Sequence, residues 1–317
     1  MREFKFITTL RFLGTPEPID GEITLMPGID LINDRMKINE IIDDELKGIA
    51  GIIEAAHLTN ADHIIFCEAN EEIFSNNRSS NEALAVWLVW LDMVISDSWL
   101  IKDNSMACEV AFCKMTDGNH MEWSSNYLSN PVSVASGEQY KTVAFTIDEL
   151  KGWESKCHKL QSYLHSNKSG TFASFTNKQY SRIGRARRFI SAARKESHPA
   201  IKISHYCSAF ESLFSTDNAE LSHKLSERVA LFLKQNDFDP MVVFDDIKQF
   251  YGIRSKVTHG DSIQAAKEKE LGNLSNRSDF YLRSIFNIIL GDEGLQRIFD
   301  GNKEEFEKHF KQLLFSQ

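Results

Sequence analysis

Beyond residue 178 the chain carries no strand-like stretch, and that one-sided pattern constrains its fold more than any other feature. From 179 to 317 apolar residues recur at spacings of three and four, the mark of amphipathic helices. The pattern predicts helices near 179–196, 200–215, 219–235, 240–259, 275–290 and 302–315. Pro199 separates the first two, Asp217-Asn218 the next pair, and Pro240 stands in the first turn of the fourth, where its missing N–H costs nothing. Short connections between successive helices imply antiparallel neighbours in a bundle.

The first 165 residues read differently. Segments 4–12, 22–26, 63–67, 107–114 and 141–147 are β-branched or apolar runs of strand length, and Pro27-Gly28 marks a turn. Helical stretches are expected at 38–56, 83–101 and 148–165, the last capped by Thr146 or Asp148. The expected architecture is a mixed α+β domain over 1–165, a polar linker over 166–178 and an all-α helical domain over 179–317. The apolar run 83–101 contains Asp92 and Asp97; it reads as a buried helix too short and too charged to span a bilayer.

A 42% apolar content with 22 phenylalanines supplies a core, and a net charge of −9 argues against a general nucleic-acid coat protein. The five cysteines, Cys67, Cys108, Cys113, Cys157 and Cys207, have no framework spacing. With no secretory signal at the start, a reduced cytoplasmic protein without a membrane anchor is expected. Neither Cys108 with Cys113 nor His57, His63 and Cys67 has the spacing of a zinc site, so no metal and no cofactor is expected. Glycines do not cluster into a phosphate-cradling loop or a nucleophile elbow.

Chemistry concentrates in 250–260. On a wheel centred on Ile247, Arg254 falls roughly 20° away, inside the apolar stripe, while His259 lies at roughly 120°. Arg254 therefore needs a partner, such as Glu211 or Glu227 on a neighbouring helix. Gly260 reads as the residue just past the helix end. That puts His259 in the last turn, near the negative end of the helix dipole, a place suited to a proton donor. The pair alone is weak evidence: 14 arginines and 10 histidines in 317 positions produce about 0.4 such spacings by chance.

Three segments in order carry more: Ser208-Ala-Phe-Glu-Ser-Leu-Phe214, Glu220-Leu-Ser-His-Lys-Leu-Ser-Glu-Arg-Val-Ala-Leu231 and Phe250-Tyr-Gly-Ile-Arg-Ser-Lys-Val-Thr-His-Gly260. Together they make residues 180–292 resemble the HEPN superfamily, most closely its ApeA-like branch. The resemblance implies a helical bundle that dimerises with its Arg-x4-His helices near the twofold axis. It further implies metal-independent endoribonuclease activity, often that of a toxin or an antiphage effector. Arg254 and His259 match the family's catalytic pair. Where many active members carry Asn, Asp or His after the arginine, this chain has Ser255, which can both donate and accept a hydrogen bond.

RNA cleavage without metal requires deprotonation of the 2′-hydroxyl, stabilisation of the phosphorane and protonation of the leaving 5′-oxygen. A histidine can serve the first or last step and an arginine fork the second. One copy of each is a thin set; two copies across a twofold axis would suffice, with Ser255, Thr258 and Glu211 as supporting groups. Arg182, Arg185, Arg187, Arg188, Arg194 and Lys195 form a local reversal of charge. Arg182, Arg185 and Arg188, with Lys256, could track an RNA backbone, or the run could be a solvated helix face. The expected partners are RNA, a second copy of the chain and, by the resemblance, a phage-derived trigger. A non-catalytic HEPN dimer that binds nucleic acid or protein is the alternative.

Overall fold

The computed structural model describes residues 2–19, 21–70, 72–74, 79–128, 131–170, 174, 180–216, 221–262 and 269–315. The chain divides into two compact units, one of residues 1–132 and 140–158, the other of 133–139 and 159–317.

The first unit is built on a seven-stranded antiparallel sheet. Its strands are β1 (Glu3–Arg11), β3 (Ile23–Met26), β4 (Ile29–Ile32), β5 (Ile64–Asn70), β6 (Ala107–Cys108), β7 (Ala111–Asp117) and β8 (His120–Asn126). Their order is β3-β4-β5-β1-β7-β8, with β6 paired to β1. A separate pair joins β2 (Leu13–Gly14) to β9 (Val143–Ala144) in parallel.

Strand alternation gives the sheet two apolar faces. Phe4, Phe6 and Leu10 of β1 join Leu84, Trp87 and Leu91 of α3 (Ser80–Asp97) on one face. On the other, Ile7, Ile64 and Phe112 meet α1 (Arg35–Ile41) and α2 (Asp44–Thr59) through Ile38, Ile42, Leu46 and Leu58. The sheet is thus covered by helices on both sides. Two indole N–H groups are satisfied inside this layer stack, Trp87 donating to the carbonyl of Gly28 at 2.9 Å and Trp153 to that of Val94 at 3.0 Å.

Several expectations for this unit need correction. The helix expected over 38–56 is two helices, each capped by its own aspartate, Asp34 and Asp43, and the second is kinked at Gly51 (φ 79°). The strand expected at 107–114 breaks after Cys108, and that at 141–147 shrinks to two residues. Strand β8 has no apolar alternation because it pairs with β7 alone at the sheet edge. By length and composition Ser80–Leu100 is long and apolar enough to cross a membrane, against the expectation from its two aspartates, and 56% of its apolar window is buried within the fold.

His63 is 4% exposed, and its Nε2 lies 3.0 Å from the Thr15 hydroxyl. Burial holds its pKa below the ordinary imidazole value. The folded unit therefore resists a proton that the unfolded chain accepts. The stabilising contribution is complete above about pH 6.5 and is lost as pH falls through that value toward the lower folded pKa. We expect His63→Gln to flatten the fall in Tm between pH 7 and 5; an unaltered slope would show that other groups dominate.

Helix α4 (Ile147–Ser166) starts with a capping box: the Thr146 hydroxyl accepts from the N–H of Glu149 at 3.2 Å, and the Glu149 carboxylate accepts from the N–H of Thr146 at 2.9 Å. The division between units falls inside this helix, after His158, rather than at 165.

The second unit holds α5 (Arg182–Lys195), α6 (Pro199–Phe214), α7 (Leu221–Lys234), α8 (Pro240–His259), α9 (Leu271–Gly291), α10 (Glu293–Asp300) and α11 (Lys303–Phe315). The pattern of the sequence places α8 to the residue and most others within a few. It misses α10 and begins α9 four residues late. Helix α6 is the hub, packing on α5, α8 and α9 through Ile203, Tyr206, Phe210 and Leu213. Phe214, Phe232, Phe299, Phe306 and Phe310 form an edge-to-face cluster at one end of it.

Segment 133–139 is pinned into this unit from the side. Lys202 is fully buried and donates to the carbonyls of Ser133 at 3.2 Å and Ala193 at 2.9 Å, while the N–H of Ser133 donates to the Arg194 carbonyl at 2.8 Å. Most of the linker expected over 166–178 lies outside the described residues. Its start is docked in the bundle: Ser169 is buried and its hydroxyl accepts from the N–H of Ser181 at 2.7 Å. A Cβ at Gly184 would lie 2.6 Å from that of Ser169, so glycine is required there for this close approach.

Candidate functional site

Helix α8 is fixed at both ends by its own sequence. Asp239 caps its start, accepting from the N–H groups of Met241 and Val242, and Pro240 occupies the first turn. At the other end Gly260 adopts a left-handed conformation (φ 74°, ψ 19°) and its N–H returns to the carbonyl of Lys256. The N–H of Asp261 donates to the same carbonyl at 2.9 Å.

The buried face of α8 is formed by Val243, Asp246, Ile247, Phe250 and Ile253. On the same wheel this face runs from Ile247 at 0° to Ile253 at roughly −120°, so Arg254, at roughly −20°, lies within it between Ile247 and Val243. Asp246 is buried, because the hydroxyl of Tyr281 donates to it at 2.8 Å and Arg277 pairs with it at 2.8 Å. A wheel built on apolar residues alone omits it.

Arg254 has the partner the sequence demands, and of the two carboxylates considered it is Glu211, on α6. The guanidinium Nη2 lies 3.3 Å from one Glu211 oxygen and 3.4 Å from the other. Tyr251, one turn back on α8, completes the group. Its hydroxyl donates to Glu211 at 2.6 Å and accepts from Arg254 Nη1 at 3.0 Å, and its ring lies 5.0 Å beneath the guanidinium. Burial and the Glu211 carboxylate raise the pKa of Tyr251, so the phenol keeps its proton and acts as a donor strut.

The side chains of Arg254 and Glu211 are 29% and 21% exposed, so the pair is open to solvent on one side and worth on the order of 1 kcal/mol. The guanidinium has five N–H donors. Glu211 and Tyr251 leave some of them available for a phosphate. Tyr251 is the site residue that a motif-based reading passes over, although its i, i+3 spacing from Arg254 puts it on the same helix face.

His259, Ser255 and Thr258 are exposed and Lys256 is half-buried. Among the described residues no hydrogen bond or ion pair joins His259 to Arg254 within one chain. The structure thus brings together Arg254, Glu211 and Tyr251, and leaves His259 as a separate exposed imidazole at the helix end. Cys207, on α6 beside this group, is buried, and burial pushes its thiol pKa far up, which favours the protonated thiol.

The basic run of α5 does not form one continuous track. Arg182 is half-buried and donates to the carbonyls of Ser215 at 2.8 Å and Leu213 at 3.4 Å, where it closes the end of α6. Arg185 donates to the Tyr180 carbonyl. Arg188 is exposed, its Nε 3.1 Å from the Tyr180 hydroxyl, whereas Arg194 is 3% exposed. Arg182 and Arg185 share one face of the helix, while Arg194 is withdrawn from solvent.

Among the described residues no group of three or more His, Cys, Asp or Glu side chains is placed to hold a metal ion. No family model matches the chain, and neither a curated protein nor a solved structure does so. The structure defines a two-unit protein, an antiparallel sheet covered by helices and then a helical part with an Arg–Glu–Tyr group on its surface.

Proposed function

We propose that the helical unit is a metal-independent endoribonuclease of HEPN type. It would cut RNA by 2′-hydroxyl attack at a site composed from two chains, and act as a toxin or antiphage effector. The observation that carries this reading is the pairing of Arg254 with Glu211 and Tyr251. It fixes the guanidinium at the surface of α8, with His259 exposed one and a half turns further along. A held arginine can bind phosphorane oxygens with little reorganisation, and a solvent-accessible imidazole can exchange protons. Because the two groups do not touch within one chain, a second copy supplies the complementary pair.

One observation favours the non-catalytic alternative, a dimer that binds nucleic acid or protein. Arg254 already has a carboxylate, as a merely structural arginine would. Incubation of wild type and His259→Ala with total RNA in EDTA separates the two. Cleavage by the wild type, lost in the variant and leaving 2′,3′-cyclic phosphate ends, is expected. Equal cleavage by both, or none by either across many RNAs, would refute the enzyme.

A further inference from the structure

A cleft of about 400 Å³ opens within the helical unit, lined by the end of α4 (Ser166 to Lys168), the start of α5 (Tyr180 to Arg185) and the end of α10 (Phe299 to Gly301). That volume suits a small ligand, and the lining is polar, which distinguishes it from a packing defect. Arg182 and Arg185, three residues apart on one helix face, both border it.

Like charges at this spacing repel, and among the described residues no carboxylate contacts either arginine. The acceptors of both are backbone carbonyls: Ser215 and Leu213 for Arg182, and Tyr180 for Arg185. Among the described residues neither forms an ion pair. Arg182 also stacks on the ring of Phe306 at 4.5 Å, which fixes its plane.

The nearby charges do not balance the pair. Arg228 is already held by Glu307 through two contacts of 2.7 Å. Asp300, also in the lining, accepts from the Tyr163 hydroxyl, and burial raises its pKa, which weakens it as a counter-ion. Burial, then Arg185 and then Arg228, lower the pKa of Arg182 against the smaller opposing pull of Glu307 and Asp300. The cleft therefore has an excess of positive charge next to neutral donors and acceptors.

We infer that this cleft binds the phosphate group of a small ligand of about mononucleotide size. Two adjacent guanidinium forks match the three oxygens of a phosphomonoester better than the two of a carboxylate. Ser166, Asn167, Ser181 and Asp300 offer partners for the hydroxyls of the remainder of the ligand. The site is separate from Arg254 and His259 and does not depend on RNA cleavage.

Calorimetric titration of the full chain with inorganic phosphate, 5′-AMP, adenosine and an unphosphorylated DNA dinucleotide tests this inference. Phosphate and 5′-AMP are expected to bind and adenosine is not. Arg185→Gln, which removes a charge without touching the α6 end that Arg182 closes, is expected to weaken binding at least about tenfold. Lys195→Gln, at the far end of α5, should not. His259→Ala should bind like the wild type, so loss of RNA cleavage and loss of this site are told apart. Arg185-dependent binding of the dinucleotide alone would assign the phosphate to a nucleic-acid strand. No Arg185-dependent binding of any of the four would overturn the inference.

Discussion

Arg254→Ala is expected to reduce RNA cleavage by about 10²–10³-fold, the usual loss when a charge-stabilising donor is removed from a transition state. The same change should barely affect the fold. The Arg254–Glu211 pair is partly solvated, and its loss should lower stability by about 1 kcal/mol. Activity and Tm are therefore expected to separate. Mixing Arg254→Ala with His259→Ala chains gives a second readout, because a hybrid pair retains one arginine and one histidine across its interface. Partial recovery on mixing is expected for a shared site. Wild-type cleavage by Arg254→Ala would assign the arginine to holding Glu211 and nothing more.

The largest structural effect is expected away from that group. Arg228, 9% exposed, reaches from α7 to Glu307 on α11 with two contacts of 2.7 Å, and also donates to the carbonyl of Phe214. Its guanidinium is flanked by the rings of Phe306 and Phe310. Glu307→Ala leaves that charge in an aromatic setting without its carboxylate, at a cost of about 3 kcal/mol. For a unit of this size, that corresponds to a drop in Tm of roughly 6–12 °C. Arg228→Met, which removes the charge and keeps the stem, should cost less than Glu307→Ala. The reverse order in thermal melts would show that the arginine contributes chiefly by packing on the rings.

Most of the bundle was readable in the sequence because its longer helices announce themselves by period, and several by punctuation as well. Asp239-Pro240 and Gly260 bound α8 with chemistry that acts locally, so its limits follow from the residues alone. Glu211 was readable as a partner because a half-buried guanidinium demands a carboxylate. Two things were hidden. Asp246 is buried only because Tyr281 and Arg277, far along the chain, satisfy it, and no local pattern shows a distant donor. Strand β8 owes its existence to its pairing with β7, and its residues His120–Asn126 carry no periodic signal of their own.

The course of the chain has a consequence for its modularity. It leaves the first unit after residue 132, contributes 133–139 to the second, returns for 140–158 and only then stays. No single cut separates two self-sufficient pieces. A fragment beginning at 159 keeps the buried Lys202 ammonium and loses the Ser133 carbonyl that accepts from it. One beginning at 133 carries 140–158, whose Trp153 belongs to the core of the other unit. Recombination that trades one half for a relative's must therefore exchange interleaved pieces, which binds the inheritance of the two units together.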